Sequence, residues 1–394
     1  MLLNKSRALE VMRRNQVDAI VATSPENVTY VSGYWSFSQR VIKSTQVYAI
    51  IPADAQAAAV LVAPIGDLDG MADKGPGIPV EPYGTFHVFN DDSGEKRGEY
   101  DRYRRLLQGN RADSPASALA AALKRLGLSG GRIAVDSSGL TPVALQDIRA
   151  ALTGYTICEG WGLLRQIRMV KTPEEISRVK KSTSVTEQAV TDVLASLREG
   201  MTEMEMFTLF NESIILQGGM PLLTCIGVGS RSSLPNVQPS NHRLKKDDVI
   251  RFDVGCVYDS YCSDIARIAC FGRPSEKAAR YHRAVLEGEQ KALAQVRPGT
   301  TAAGVFETAV EATRAGGIPH FERHHCGHGI GIECYDMPSI APQDRTVLER
   351  GMVINVETCY YELGFAGLQA EDTVVVTEDG FEYLSVSDRS LRVI

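Results

Sequence analysis

Apolar positions recur at helical spacing from the start of the chain. Leu3, Ala8, Val11 and Met12 share one face of residues 2–15, with Arg and Lys on the other, which predicts an amphipathic helix. The run Asp18–Thr23 is short, apolar and strand-like, and Ser24-Pro25-Glu26-Asn27 reads as a turn. Val47–Ile51 and Ala57–Ala63 are further strand-like runs. Residues 83–105 are polar and irregular and predict a solvated loop running into a helix, with a substrate loop as the alternative. Ser114 can cap a helix over Pro115–Leu126, RIAVD (132–136) predicts a strand, and Pro142–Leu152 predicts a helix. This strand–helix alternation predicts a mixed α/β sheet in the N-terminal domain, residues 1–160.

A boundary falls near Trp161–Lys171, so a second domain is expected over 161–394. Thr172-Pro173-Glu174-Glu175 combines a helix cap, a proline in the first turn and a capping-box glutamate. Another helix is expected after Gly200-Met201-Thr202-Glu203. From Val249 the pattern mixes strands (VIRFDVG, DIARIACFG) with helices over Ser275 to about Val296 and about Ala302 to Arg314. The last third is glycine-rich and strand-like, which makes this domain α+β.

Charge and composition narrow the function. The 394 residues carry 42 Lys and Arg against 48 Asp and Glu, a net charge of −6 that disfavours nucleic acid or an anionic membrane as partner. No apolar run approaches the roughly 20 residues of a membrane span. The opening MLLNKSRALEVMRRN lacks a signal-peptide layout. Eight cysteines without a CxxC pair read as reduced thiols, and a cytoplasmic location is expected. There is no P-loop and no HExxH. Gly127-Leu128-Ser129-Gly130-Gly131 matches a nucleophile elbow by letters only, since a helix precedes it and a strand follows.

Five residues carry the chemistry. Asp253, Asp264, His328, Glu357 and Glu371 each sit in or beside an apolar segment, where an ionised carboxylate costs several kcal/mol unless something answers its charge. Four carboxylates and one imidazole cannot neutralise one another, whereas two divalent ions would. The oxygen-rich donor set suits manganese, iron, cobalt or zinc. The 11-residue step from Asp253 to Asp264 (264 − 253) allows a hairpin that turns both acids to one point. Separate surface ion pairs for each acid are the plainer alternative.

In the order Asp, Asp, His, Glu, Glu the chain resembles the family of methionine aminopeptidase, aminopeptidase P, prolidase and creatinase. The likeness runs from NVTYVSGY, GGRIAVD and KTPEEISRVKKS to RFDVG, YCSDIARI, GHGIGIE and AEDTVVVTEDG. It implies a creatinase-type N-terminal domain and a pita-bread catalytic domain. The five residues would then ligate two metals, with Asp264 and Glu371 bridging and Glu357 moving the proton of a metal-bridging hydroxide. It also implies a homodimer and hydrolysis of a short Xaa-Pro peptide or small amide. Two histidines of the peptidase pattern are replaced, by Asn236 and by Tyr335, while His324 is kept beside an extra His325. These four residues are candidates for catalysis (His324, Asn236, Tyr335) and substrate binding (His325). The family's EPG reads Glu357-Thr358-Cys359, and the arginine common two residues before the last glutamate is Gln369.

Trp35, Phe37 and Arg40, in an expected loop, resemble the creatinase segment that reaches substrate. An Arg fork there could hold a carboxylate. Core or interface packing is the alternative for the aromatics. Cys256, Cys262, Cys326 and Cys359 flank the ligand segments, where packing and zinc-favouring thiolate ligation are both open. The expected activity is a dinuclear Xaa-Pro peptidase-like hydrolase. Its alternatives are a non-peptide C–N hydrolase or lyase of a small metabolite on the same metals, or a non-catalytic binding protein.

Overall fold

The computed structural model of the chain describes residues 2–74, 77–91, 94 and 98–394. It forms two compact units, Met1–Arg168 and Met169–Ile394. The first runs α1 (Lys5–Asn15), β1 (Ala19–Ala22), α2 (Pro25–Ser32), α3 (Phe37–Val41), β2 (Tyr48–Pro52), β3 (Val60–Pro64), α4 (Asp69–Lys74) and β4 (Val80–Tyr83). It continues through α5 (Gly98–Gln108), α6 (Pro115–Arg125), β5 (Gly131–Val135), α7 (Pro142–Ala151), β6 (Tyr155–Glu159) and α8 (Trp161–Arg168). Its strands form one sheet in the order β4-β3-β2-β1-β5-β6, parallel at β3–β4, β1–β5 and β5–β6 and antiparallel elsewhere. Apolar faces of α6 and α7 close on it through Leu119, Leu123 and Ile148.

The structure corrects two local expectations here. Ser24–Asn27 is no free turn but the start of α2: Ser24 Oγ accepts from Asn27 N at 3.2 Å and Pro25 takes the first helical position. A Ser-Pro pair serves either purpose, and helix formation wins because Val28 and Val31 are buried. Residues 37–41, expected as loop, are the short helix α3, capped by Ser36 Oγ on Gln39 N at 3.1 Å. The polar stretch 83–105 ends in α5 as expected, and its residues 92, 93 and 95–97 lie outside the described residues.

Asn27 and Asp136 explain why NVTYVSGY and RIAVD stand out. Both are fully buried. The Asp136 carboxylate accepts from Thr23 N, Ser24 N and Asn27 Nδ2 at 3.1, 3.2 and 2.8 Å, and Asn27 Oδ1 accepts from Arg168 Nη1 at 2.6 Å. A buried acid satisfied this way pins the start of α2 to the end of β5.

The second unit runs α9 (Pro173–Ala195), α10 (Glu203–Leu216), β7 (Met220–Val228), β8 (Val249–Tyr258), β9 (Tyr261–Cys262), β10 (Ile265–Cys270), α11 (Glu276–Leu293) and α12 (Ala302–Ala315). It ends with β11 (Gly327–Gly329), β12 (Asp336–Ser339), β13 (Val353–Glu362), β14 (Ala366–Val376), β15 (Phe381–Tyr383) and β16 (Arg392–Val393). The Thr172 capping box forms as expected, with Thr172 N donating to Glu175 Oε2 at 2.8 Å. The sheet order is β12-β11-β13-β14-β10-β8-β7, antiparallel throughout this path. Strand side chains alternate between faces. Even-numbered residues of β13 and β14 (Ile354, Val356, Leu368, Val374) pack with α11 and α12, and even-numbered residues of β8 (Ile250, Phe252, Val254) pack with α9 and α10. Odd-numbered residues are left to face the other way.

Candidate metal centre

The acids fall into a row because of that alternation. Asp253 on β8 stands opposite Ala266 on β10, Ala266 opposite Glu371 on β14, and Glu371 opposite Glu357 on β13. Asp264 lies two residues before Ala266 and so points to the same face. His328 on β11 is opposite Asn355, two residues before Glu357. The hairpin expected from the 11-residue spacing is the antiparallel pair β8–β10.

Asp264, His328 and Glu371 converge most closely: one ligand atom from each lies within 4.8 Å of the others. All three are at least 97% removed from solvent. His328 Nδ1 lies 3.0 Å from the Gly329 carbonyl, which makes it the protonated nitrogen and turns Nε2 toward Asp264 Oδ2 at 3.7 Å. Asp264 Oδ1 and His328 Nε2 are buried with no hydrogen-bond partner. Asn355 Nδ2 donates to Glu371 Oε1 at 2.9 Å and to the Asp264 carbonyl at 3.0 Å, fixing the two acids relative to each other. The outer pair is held by cations. Asp253 Oδ2 accepts from Arg251 Nη1 at 2.7 Å. Glu357 Oε1 lies 3.0 Å from His325 Nδ1, and its Oε2 lies 3.6 Å from Arg323 Nη2 and 2.6 Å from Cys359 Sγ.

Burial, then the charges of Asp253 and Glu357, push the Asp264 carboxyl well above the usual carboxylate range. Burial, then Asp264, Glu357 and Asp253, do the same to Glu371. Asp253 is raised by burial, which Arg251 only partly offsets. Glu357 goes the other way. Burial raises it, but the His325 hydrogen bond and the Arg323 and His325 charges outweigh that and lower it to about 2. Burial lowers the His328 imidazole, which keeps it neutral and able to ligate. The row is short of positive charge at its centre, and its unpartnered atoms are a carboxylate oxygen and an imidazole nitrogen. A divalent metal fits.

Backbone packing leaves no latitude here. Gly327, with φ +132°, would place a Cβ 2.0 Å from the Asn355 carbonyl oxygen. Gly327→Ala is expected to destabilise the fold by about 1–3 kcal/mol or more and to weaken metal binding through the neighbouring His328. Urea unfolding with and without metal would show both.

Around this centre the candidate residues separate. His325 reaches Glu357, whereas His324 is exposed and meets the His325 ring edge-on at 4.4 Å. Tyr335 lies over His328, ring centroids 3.8 Å apart and planes 23° from parallel, with 58% of its surface exposed. Asn236 is exposed, in the segment that follows a 3₁₀ turn at Gly229–Ser233. In the first unit, Trp35 and Phe37 are exposed. Arg40 lies 5.4 Å from the Trp35 ring centroid and 3.3 Å from Glu26 Oε1, so its charge already has a partner. Sequence reasoning passed over Arg251, Arg323 and Asn355. Arg251 and Asn355 share odd parity with the neighbouring acids, which was the available signal.

An antiparallel sheet with a buried acid-and-imidazole row on one face, in a chain that also carries a separate α/β unit, defines a metallohydrolase of the pita-bread class. The chain belongs to metallopeptidase family M24, whose model matches residues 177–378, and residues 5–170 match the creatinase/prolidase N-terminal domain. This family uses two divalent metal ions. The chain is 26% identical over 387 residues to the Xaa-Pro dipeptidase of Pyrococcus horikoshii, covering 98% of this chain and 97% of that one. It is 33% identical over 231 residues to the Xaa-Pro dipeptidase of Pyrococcus furiosus, which is 58% of this chain and 66% of that one. The solved X-Pro aminopeptidase of Thermotoga maritima superposes with a TM-score of 0.79 at 25% identity, over 97% of this chain and 99% of that one.

Proposed function

We propose that the protein is a metal-dependent hydrolase of dipeptides or short peptides with proline after the scissile bond. The observation that carries this is the buried Asp264–His328–Glu371 cluster, with two unpartnered ligand atoms, in a row completed by Asp253 and Glu357. Similarity to two Xaa-Pro dipeptidases supports the substrate class. Bound there, two divalent ions (manganese, cobalt, zinc or iron) would acidify a water toward neutral pH and polarise the scissile carbonyl. Asp264 and Glu371 would hold both ions, Asp253 one, and His328 with Glu357 the other.

The chain's own groups do the rest. Glu357 is ionised and held by His325, so it can take a proton and return it to the leaving nitrogen. Burial and the nearby Asp264 carboxylate keep the Tyr335 phenol protonated, so it acts as a hydrogen-bond donor and not as a base. Asn236 can donate from its amide. His324 remains a candidate for catalysis, and Trp35, Phe37, Arg40 and His325 for substrate contact. A homodimer in the cytoplasm fits the family likeness and the reduced cysteines. Among the described residues no helix is long and apolar enough to cross a membrane.

The replacement of two peptidase-pattern histidines by Asn236 and by Tyr335, the latter stacked on His328, supports a second reading, hydrolysis or lysis of a small non-peptide C–N substrate on the same metals. A panel of Xaa-Pro dipeptides, assayed with protein loaded with manganese, cobalt or zinc, separates the two. Turnover with a strong preference for proline over alanine supports the first. Full metal loading without peptide turnover overturns it and leaves the second.

A further inference from the structure

Arg251 is among the largest fully buried side chains of the protein. Its guanidinium has five N–H donors in a planar fork, and every one has an acceptor. Nε donates to Ser232 O at 2.9 Å. Nη2 donates to Leu234 O at 2.7 Å and Pro235 O at 2.8 Å. Nη1 donates to Asp253 Oδ2 at 2.7 Å and Gln369 Oε1 at 3.1 Å. One rigid group thus joins a carboxylate of the acid row to three carbonyls of the segment leading into Asn236. The start of the segment is also tied at Ser232, whose Oγ accepts from Gly367 N at 2.9 Å and donates to Gly229 O at 2.6 Å, and at Ser233, whose Oγ donates to Ser230 O at 2.7 Å, so the residues that depend most on Arg251 are Leu234 to Asn236. Leu234 N and Val237 N close short turns onto Arg231 O and Leu234 O, at 3.0 and 3.2 Å. Opposite it, Gly367 leaves room for the arrangement: a Cβ there would fall 2.0 Å from Ser232 O and 3.1 Å from Arg251 Nε.

We propose that Arg251 is a positioning residue that couples metal loading at Asp253 to the placement of the Asn236 segment. A guanidinium cannot follow the carboxylate and keep its carbonyl bonds unless both move together. When an ion draws Asp253 into its ligand shell, Arg251 transmits the shift to residues 232–236. Because coupling of this kind is reciprocal, the factor by which loading changes the segment's placement is also the factor by which the segment's placement changes ion affinity. Loading of the centre therefore tightens and biases the placement of Asn236. This inference rests on the metal reading above.

The test is hydrogen exchange of the Leu234 and Val237 amides in the full-length protein, without metal and with Mn(II), in parallel with calorimetric titration of Mn(II). In the natural protein, loading is expected to slow these amides by about 5–150-fold, the ordinary span of a coupling. In Arg251→Met, Mn(II) still binds to the remaining donors but the slowing disappears. Arg251→Lys keeps a cation beside Asp253 without the fork, guards against a folding failure in the first variant, and is also expected to lose the slowing. An equal slowing in either variant, or none in the natural protein, overturns the coupling. Failure of the natural protein to bind Mn(II), or Zn(II) in its place, overturns the metal reading and the coupling with it.

Discussion

Replacing Glu357 by glutamine is expected to lower kcat on the best Xaa-Pro substrate by about 10²–10⁴-fold, the usual worth of a positioned proton-transfer group. The carboxylate is the only acid of the row whose affinity for protons is lowered, by His325 and Arg323. It is therefore the acid of the row held ionised and free of a proton before the reaction, so that the transfer can begin from the bare carboxylate fixed by His325. Glutamine keeps the shape and a carbonyl oxygen but cannot carry the proton. Asp264, His328 and Glu371 still converge in the variant, so metal remains bound when measured by elemental analysis, though more weakly. A variant with unchanged kcat would show that the proton moves elsewhere, and His325, 3.0 Å from the same carboxylate, would be the next residue to replace.

The second large effect concerns Asp264. Asp264→Asn is expected to abolish metal binding, since this residue supplies an unpartnered oxygen at the centre of the cluster. It should also make the metal-free protein more stable. The folded-state affinities of Asp264 and Glu371 for protons are raised above the unfolded value, because burial and mutual repulsion penalise the charged forms. Their contribution is therefore fully present below about pH 4, the ordinary carboxylate value. It is lost as pH rises toward their elevated folded-state values. The melting temperature of the metal-free protein should fall from acid toward neutral pH, and metal should restore it. Asp264→Asn removes one of the two charges, so its metal-free form should lose less over that interval. Each kcal/mol retained moves Tm by about 2–4 °C for a unit of this size. A metal-free profile that is flat with pH, or unchanged by the substitution, would show that the acids carry no such strain.

Much of the centre was legible because carboxylates in apolar strand segments are costly, and that cost shows in sequence. Asp253, Asp264, Glu357 and Glu371 announced themselves that way, and strand periodicity put them on one face. Helix starts were legible where the signals were redundant, as at Thr172, and misleading where one pair of residues serves two ends, as at Ser24-Pro25. Strand β7 (Met220–Val228) is less legible, because the glycines at positions 227 and 229 favour a turn at its end. Arg251 escaped notice for a different reason. A single arginine in a strand reads as an edge or a surface charge. Its value comes from three carbonyls that approach only after the chain has folded back from Ser232 to Pro235. The assignment between His324 and His325 likewise depends on backbone direction over two adjacent residues, which spacing cannot resolve.

The row of acids has a consequence for how the protein is made. Its four acids come from three strands and from the residue that leads into a fourth, β10, and the last of them, Glu371, lies 118 residues beyond Asp253 (371 − 253). Contacts this distant in sequence are late and slow to form, and here they bring like charges together as they close. The final zipping of β14 between β10 and β13 therefore works against repulsion until cations arrive. Refolding with divalent metal present should then run faster at this step than refolding without it. The ions would then act during folding as well as turnover.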